Sequence, residues 1–239
     1  MEIYILTSFP GVFSGPLNNS IIKRAVDNDL VRFHIIDIRG HTENKHRQID
    51  DYPYGGGPGM ILKPEPIFNA FDAVMGEIGE AQTPRVIYPT PQGVIFNQQL
   101  AKSLSEENLL IFICGRYKGV DERVIERLVT DEISIGDYIV SGGELPSLVI
   151  IDALVRIIPG AIGDPESAAS DSFSGGLLDC PHYTRPEVFR GMKVPDVLLS
   201  GDHKRIREWR HRKKLERTIA RRADLLSSYH AEKREKRGG

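Results

Sequence analysis

Cysteine is scarce in this 239-residue chain: Cys114 and Cys180 are too few for a disulfide framework, which excludes the small stapled folds of secreted proteins. Long apolar runs are missing as well, since no window reaches the eighteen or so residues of a membrane span. The opening Met1-Glu2-Ile3-Tyr4 lacks the basic-then-apolar layout of a secretory signal. These absences predict a soluble protein in a reducing, cytoplasmic setting. The chain contains neither Gly-x-Gly-x-x-Gly nor Gly-Lys-Ser/Thr, so the common dinucleotide and triphosphate fingerprints are excluded. No His, Cys and acidic residues stand at zinc-ligand spacing, and no segment repeats.

What is present begins with a division of charge. The net charge of −2 conceals a basic end: from Ser200 onward 14 Lys and Arg stand against 6 Asp and Glu, leaving 17 against 27 in residues 1–199. A basic tail on an acidic body fits a nucleic-acid partner, because phosphates attract clustered Lys and Arg with little regard to sequence. A solvated charged helix would have the same composition. At 40% apolar residues the length suffices for one large core or two smaller ones.

Short runs rich in β-branched residues predict strands over Glu2–Thr7, Val31–Ile38, Arg85–Pro89, Leu109–Cys114 and Glu132–Ile135. Helical patterns lie between them, near Asn18–Asn28, Pro64–Gly76, Asn97–Leu104, Asp121–Leu128 and Glu144–Ile158. That alternation predicts an α/β fold with a largely parallel sheet and helices on both faces. Ligands on such sheets bind beyond the carboxyl ends of the strands. The helix at Glu144–Ile158 is apolar nearly all round, which predicts burial in a core or against a partner subunit. Its charged exceptions, Asp152 and Arg156, are one turn apart and can pair.

After Gly160 the chain becomes small and polar, and residues 161–175 read as a flexible linker. It would join a first domain, residues 1–160, to a helical basic domain, residues 176–239. There the pattern predicts a helix over Arg205–Arg222 carrying Ile206, Trp209, Leu215 and Ile219.

Three loops follow three predicted strands: Tyr88 to Gly93, Cys114 to Arg123, and Ile133 to Pro146. Each joins Gly or Pro to an aromatic residue. Such loops can offer backbone hydrogen bonds to a planar heterocycle without a charge dedicated to phosphate, and an adenosine lacking a triphosphate would fit. Ordinary turn chemistry accounts for any one of them alone. A fourth loop, Tyr52 to Met60, holds Gly55, Gly56, Gly57 and Gly59 and forms either a shaped surface for a large substrate or a plain mobile loop.

Four motifs carry a resemblance. Tyr-Gly-Gly-Gly-Pro-Gly-Met (residues 54–60), Cys-Gly-Arg-Tyr-x-Gly-x-Asp-Glu-Arg (114–123), Ser-Ile-Gly-Asp-Tyr-x-x-Ser-Gly-Gly-Glu-Leu-Pro (134–146) and Leu-Leu-Asp-Cys-Pro-His-Tyr-Thr-Arg-Pro (177–186) occur in this order. Together they resemble the bacterial tRNA (guanine-N(1))-methyltransferases of the TrmD family, over about Ile3 to Arg222. The resemblance implies a SPOUT-type α/β domain with a deep trefoil knot, a homodimer with the active site at the subunit interface, and no membrane association. It implies methyl transfer from S-adenosylmethionine to the guanosine at tRNA position 37.

By motif matching, Tyr88, Pro91, Gly115, Tyr117, Ile135, Gly136, Tyr138, Val140, Gly142, Gly143 and Pro146 would line the cofactor pocket. Asp171 matches the general base that would take the proton from guanine N1, and Arg156 the group that would stabilise charge on guanine O6. The glycine loop (Gly55, Gly56, Gly57, Gly59), His182, Arg185 and the basic residues Arg205, Arg210 and Lys213 would contact the tRNA. A magnesium requirement is also implied, with no ligands that the sequence nominates. One position departs from the pattern: the family often has Glu after the Tyr of the second motif, where this chain has Lys118.

Overall fold

The chain divides into two compact units, Met1–Gly163 and Asp164–Gly239. The computed structural model describes residues 1–79, 82–162, 171–227 and 229. Of the expected linker, residues 163–170 therefore lie outside the described residues. No helix among the described residues is long and apolar enough to cross a membrane.

The first unit is built on a five-stranded parallel sheet. Its strands are β1 (Glu2–Thr7), β2 (Arg32–Asp37), β5 (Arg85–Ile95), β6 (Leu109–Ile113) and β7 (Asp131–Ser134), in the order β2-β1-β6-β5-β7. Two short strands, β3 (Asp50–Asp51) and β4 (Ile61–Leu62), pair antiparallel outside it. Strand β6 reads Leu-Leu-Ile-Phe-Ile and is buried at every position, because a parallel strand covered on both faces has no wet side.

Period-two alternation sorts the strands into two cores. Ile3, Ile5, Leu110 and Phe112 face one way, under helices α1 (Ser20–Asp27), α3 (Gln98–Ser105) and α5 (Glu144–Val155). Tyr4, Leu6, Ile111 and Ile113 face the other, under α2 (Pro64–Ile78) and α4 (Glu122–Leu128). Each fully buried Ile or Leu contributes about 1.5–3 kcal/mol relative to exposure.

Two elements differ from the sequence expectation. Strand β5 runs on to Ile95 instead of ending at Pro89. Pro89 pairs with Ile133 of β7, residues Thr90 to Gly93 leave the sheet, and Val94 returns to pair with the same Ile133. Gly93 permits this: a Cβ there would overlap the Glu132–Ile133 peptide. Helix α5 stops at Val155, three residues before Ile158, and continues as tight turns in which Ile157 N–H donates to Leu154. On α5, Leu145 and Val149 are about half exposed in the single chain.

The second unit, taken by itself, holds short helix Asp196–Leu199, the long helix His203–Arg221, and a hairpin of Val188–Phe189 with Met192–Lys193. The hairpin was not expected from the sequence. Arg190 and Gly191 at its tip both have positive φ, 51° and 79°, as a two-residue hairpin turn requires. The long helix starts where Asp202 accepts hydrogen bonds from the amides of Lys204 and Arg205. Of its expected apolar contacts Trp209 is buried, Ile206 and Leu215 are half-buried, and Ile219 is exposed. Thr218 takes the inner position instead, accepting from Leu178 N–H at 2.9 Å and donating to the Lys214 carbonyl at 2.8 Å.

Candidate active site

A cavity of about 440 Å³ opens at the carboxyl ends of β5, β6 and β7, where a parallel sheet places its ligands. All eleven residues expected around the cofactor line it. The β5 excursion brings Tyr88 and Pro91; the turn after β6 brings Gly115 and Tyr117. The stretch after β7 brings Ile135, Gly136, Tyr138 and Val140, and the start of α5 brings Gly142, Gly143 and Pro146. Among the described residues, the charged ones in this lining are Arg116 and Lys118.

The glycines are dictated by close approach. A Cβ on Gly115 would stand 2.8 Å from the Tyr88 hydroxyl, and one on Gly143 would stand 2.9 Å from Cys114 Cα. Gly143 N–H donates to the Gly115 carbonyl at 2.9 Å, so the start of α5 is laced directly to the turn after β6. Behind the lacing lies an ion pair that sequence reasoning missed. Glu144, 2% exposed at its side chain, has Oε2 2.9 Å from Arg116 Nε, while its Oε1 accepts from the Thr7 hydroxyl at 2.8 Å. The Arg116 guanidinium also stacks over Phe9, 4.1 Å from the ring centroid. Glu144 sits in the first turn of α5, where the helix dipole favours an anion. Removing one partner of such a buried pair costs about 3–5 kcal/mol. The available signal was a carboxylate leading a helix that is otherwise almost wholly apolar, with Asp152 the one further acid.

The glycine-rich loop sits beside this pocket. Gly55, Gly56, Gly57 and Gly59 all have positive φ, from 77° to 114°. Lys118 lays its aliphatic stem across Gly59, leaving 3.0 Å between its Cγ and a Cβ built there. The loop is held by Lys118 N–H donating to the Met60 carbonyl and Leu62 N–H donating to Gly119, both at 3.1 Å. Tyr117 is itself left-handed, at φ 59°, and a hydrogen bond with Asp50 raises its hydroxyl above the usual range.

Arg156 caps the carboxyl end of α5, with its N–H donating to Asp152, and is half-buried. Asp171 belongs to the second unit. It is half-buried and heads a hydrogen-bonded turn in which its carbonyl accepts from Ser174 N–H and Phe173 N–H donates to Leu177. In the same unit His182 Nε2 lies 2.7 Å from Asp179. Arg185, Arg205 and Arg210 are exposed, and Lys213 is half-buried and paired with Glu216 at 2.6 Å.

The donor atoms of Asp179, Cys180 and His182 fall within 4.8 Å of one another. A cation there would meet the Lys214 ammonium, 2.9 Å from Asp179, and a Cys180 thiol that burial keeps protonated. The group reads as an ion-pair network. Burial alone would raise the Asp179 carboxyl, but hydrogen bonds from His182, Lys214 and the Cys180 amide outweigh it and hold the group well below the usual range. A depressed folded-state pKa stabilises above the unfolded-state pKa and is lost as pH falls through the folded one. Asp179→Asn is therefore expected to lower the melting temperature at neutral pH, with the difference from wild type narrowing towards strong acid; a pH-independent difference would show that the charge is not what matters.

Fold and pocket define an α/β protein with a ligand site of cofactor size at the carboxyl ends of its strands. The model of the tRNA (Guanine-1)-methyltransferase TrmD family matches residues 1–228, and the chain belongs to that family. It is 54% identical over 229 residues to the tRNA (guanine-N(1)-)-methyltransferase of Listeria monocytogenes, covering 96% of this chain and 93% of the relative. It is 53% identical over 237 residues to the protein of the same name from Anoxybacillus flavithermus, covering 99% and 96%. With the Alkaliphilus oremlandii protein, also so named, it shares 51% over 232 residues, covering 96% and 93%.

Proposed function

We propose that the protein transfers a methyl group from S-adenosylmethionine to N1 of the guanosine at tRNA position 37, beside the anticodon. The observation that carries this reading is the 440 Å³ cavity walled by three strand-end loops that each carry glycine, two of them with proline as well. Its Gly115 and Gly143 leave backbone where side chains would intrude, which fits a planar heterocycle such as adenosine, and among the described residues its lining has no acidic side chain. S-adenosylmethionine supplies an electrophilic methyl group when bound.

The rest of the chemistry belongs to the chain. Guanine N1 carries a proton at neutral pH and is a poor nucleophile until that proton leaves. Asp171 accepts it as general base, a contribution typically worth about a hundred- to ten-thousand-fold. Arg156 stabilises the negative charge that gathers on O6 as the proton departs. Residues 1–160 hold the cofactor, 161–175 join the two domains, and 176–239 hold the RNA through Arg185, Arg205, Arg210, Lys213 and His182. The glycine loop at Gly55 to Gly59 forms the approach surface for the substrate.

Two further features fit the reading. The return of Gly142 and Gly143 onto the turn at Gly115 and Arg116 supports a SPOUT-type trefoil knot in this region. The half-exposed Leu145 and Val149, with Tyr138 and the 80%-exposed Ile139, give an apolar surface that a second copy would cover, which supports a homodimer with the site at its interface. A tRNA-modifying role fits a cytoplasmic protein. Methyl transfer onto unmodified tRNA, with the product nucleoside identified by mass, tests the reading: 1-methylguanosine is expected, and a ribose-methylated nucleoside in its place would overturn it.

A further inference from the structure

The turn that carries Asp171 is fastened to the far end of the long helix in the same unit. Phe173, two residues after Asp171, has a left-handed backbone at φ 74°. The chain doubles back there: Phe173 N–H donates to the Leu177 carbonyl at 2.9 Å, and Gly176 N–H donates to Phe173 at 3.2 Å. A residue with a side chain holds such a backbone only where its surroundings enforce it.

The helix end supplies that enforcement. Lys214 pairs with Asp179 at 2.9 Å, Arg217 Nη1 donates to the Asp179 carbonyl at 3.3 Å, and Thr218 accepts from Leu178 N–H. Arg222, which caps the helix, lays its guanidinium over the Phe173 ring, 6.0 Å from the centroid. Lys214, Thr218 and Arg222 stand four residues apart, so one side of the helix end grips the turn along its length. Arg222 is itself held by Asp224, with Nη2 2.6 Å from Oδ2. On the other side of Phe173, Gly176 at φ 73° lets the chain come back close: a Cβ there would lie 3.4 Å from Tyr229 Cα. Phe173 is 44% exposed, so its ring gains little from burial, and the guanidinium over its face is the contact that fixes it.

We propose that Phe173 and Arg222 are positioning residues for Asp171, their stack setting the angle at which the turn presents the carboxylate to guanine N1. The proposal rests on the reading of Asp171 as general base and extends it to the last residue of the RNA-holding helix. A displacement of about 1 Å can cost about a hundredfold in rate. Loss of the stack therefore acts on the methyl-transfer rate and leaves the affinities for tRNA and S-adenosylmethionine alone.

The test is single-turnover methyl transfer by the full chain onto a full-length tRNA transcript, with the affinities for tRNA and S-adenosylmethionine measured beside it. Phe173→Leu and Arg222→Gln should each slow the step about tenfold or more, and unchanged affinities for both ligands show that both units are folded. Phe173→Tyr keeps the aromatic face and should keep the wild-type rate. Because the two residues act through one contact, the double variant should be no slower than the slower single one. In an Asp171→Asn background, adding Phe173→Leu should slow nothing further. Phe173→Leu at the wild-type rate, or an equal slowing by it with and without Asp171, would overturn the proposal. So would an Arg222→Gln variant that loses tRNA affinity at an unchanged rate, which makes Arg222 a phosphate contact. An Asp171→Asn variant that keeps its rate removes the general base and this proposal together, whereas a slow Asp171→Asn beside fast Phe173→Leu and Arg222→Gln removes the positioning role alone.

Discussion

Asp171→Asn is expected to lower turnover about a hundred- to ten-thousand-fold while leaving the affinity for S-adenosylmethionine unchanged. The amide has the size and nearly the shape of the carboxylate, so the turn that Asp171 heads through its backbone carbonyl persists. What is lost is the ability to accept a proton from guanine N1. Single-turnover rates at saturating tRNA, together with calorimetric titration of the cofactor, read the two effects separately. Raising the pH should partly restore the variant, because guanine then loses its N1 proton to solvent. A variant that keeps its rate removes Asp171 as the base, and a variant that loses cofactor binding assigns it a structural part instead.

Gly143→Ala is expected to weaken S-adenosylmethionine binding by about tenfold or more. The added carbon would stand 2.9 Å from Cys114 Cα and 3.0 Å from the Gly115 amide nitrogen, both backbone atoms that cannot swing aside. Relief requires the start of α5 to move off the turn after β6, breaking the hydrogen bond from Gly143 N–H to Gly115 and widening the pocket. Overpacking of this kind costs about 1–3 kcal/mol, which here divides between cofactor affinity and thermal stability. Gly11→Ala, with nothing within 4 Å of its added carbon, is the matched control and should change neither. An unaltered dissociation constant and melting temperature in Gly143→Ala would mean that the lacing of α5 to the turn does not shape the site.

The sheet was legible because its signals are local. Leu109–Ile113 and Glu2–Thr7 are short β-branched runs whose neighbours in sequence say nothing contrary. Strand β5 was legible only to Pro89, since Pro89, Pro91 and Gly93 read as turn residues and the return of Val94 to Ile133 depends on a strand almost forty residues later. The hairpin at Val188–Lys193 has two residues per strand, too few for any period to show. The three strand-end loops announced a shared cavity through glycine, proline and aromatic residues. Glu144 did not, because its burial is set by Arg116 and by Thr7, 137 residues earlier. The roles given to Asp171 and Arg156 came from family resemblance, as composition alone would have left one a linker acid and the other a helix-end cation.

The excursion of β5 has a kinetic meaning. Pro89 and Val94 are tied to one residue, Ile133, so the four residues between them form an eyelet closed at its base. With two of its neighbouring positions proline and its neck fixed by the Gly93 approach, this wall has little freedom left to lose. Any ligand that enters would have little of this wall to order, so this side of the pocket acts as a standing mould and would add little to the time needed to load the site.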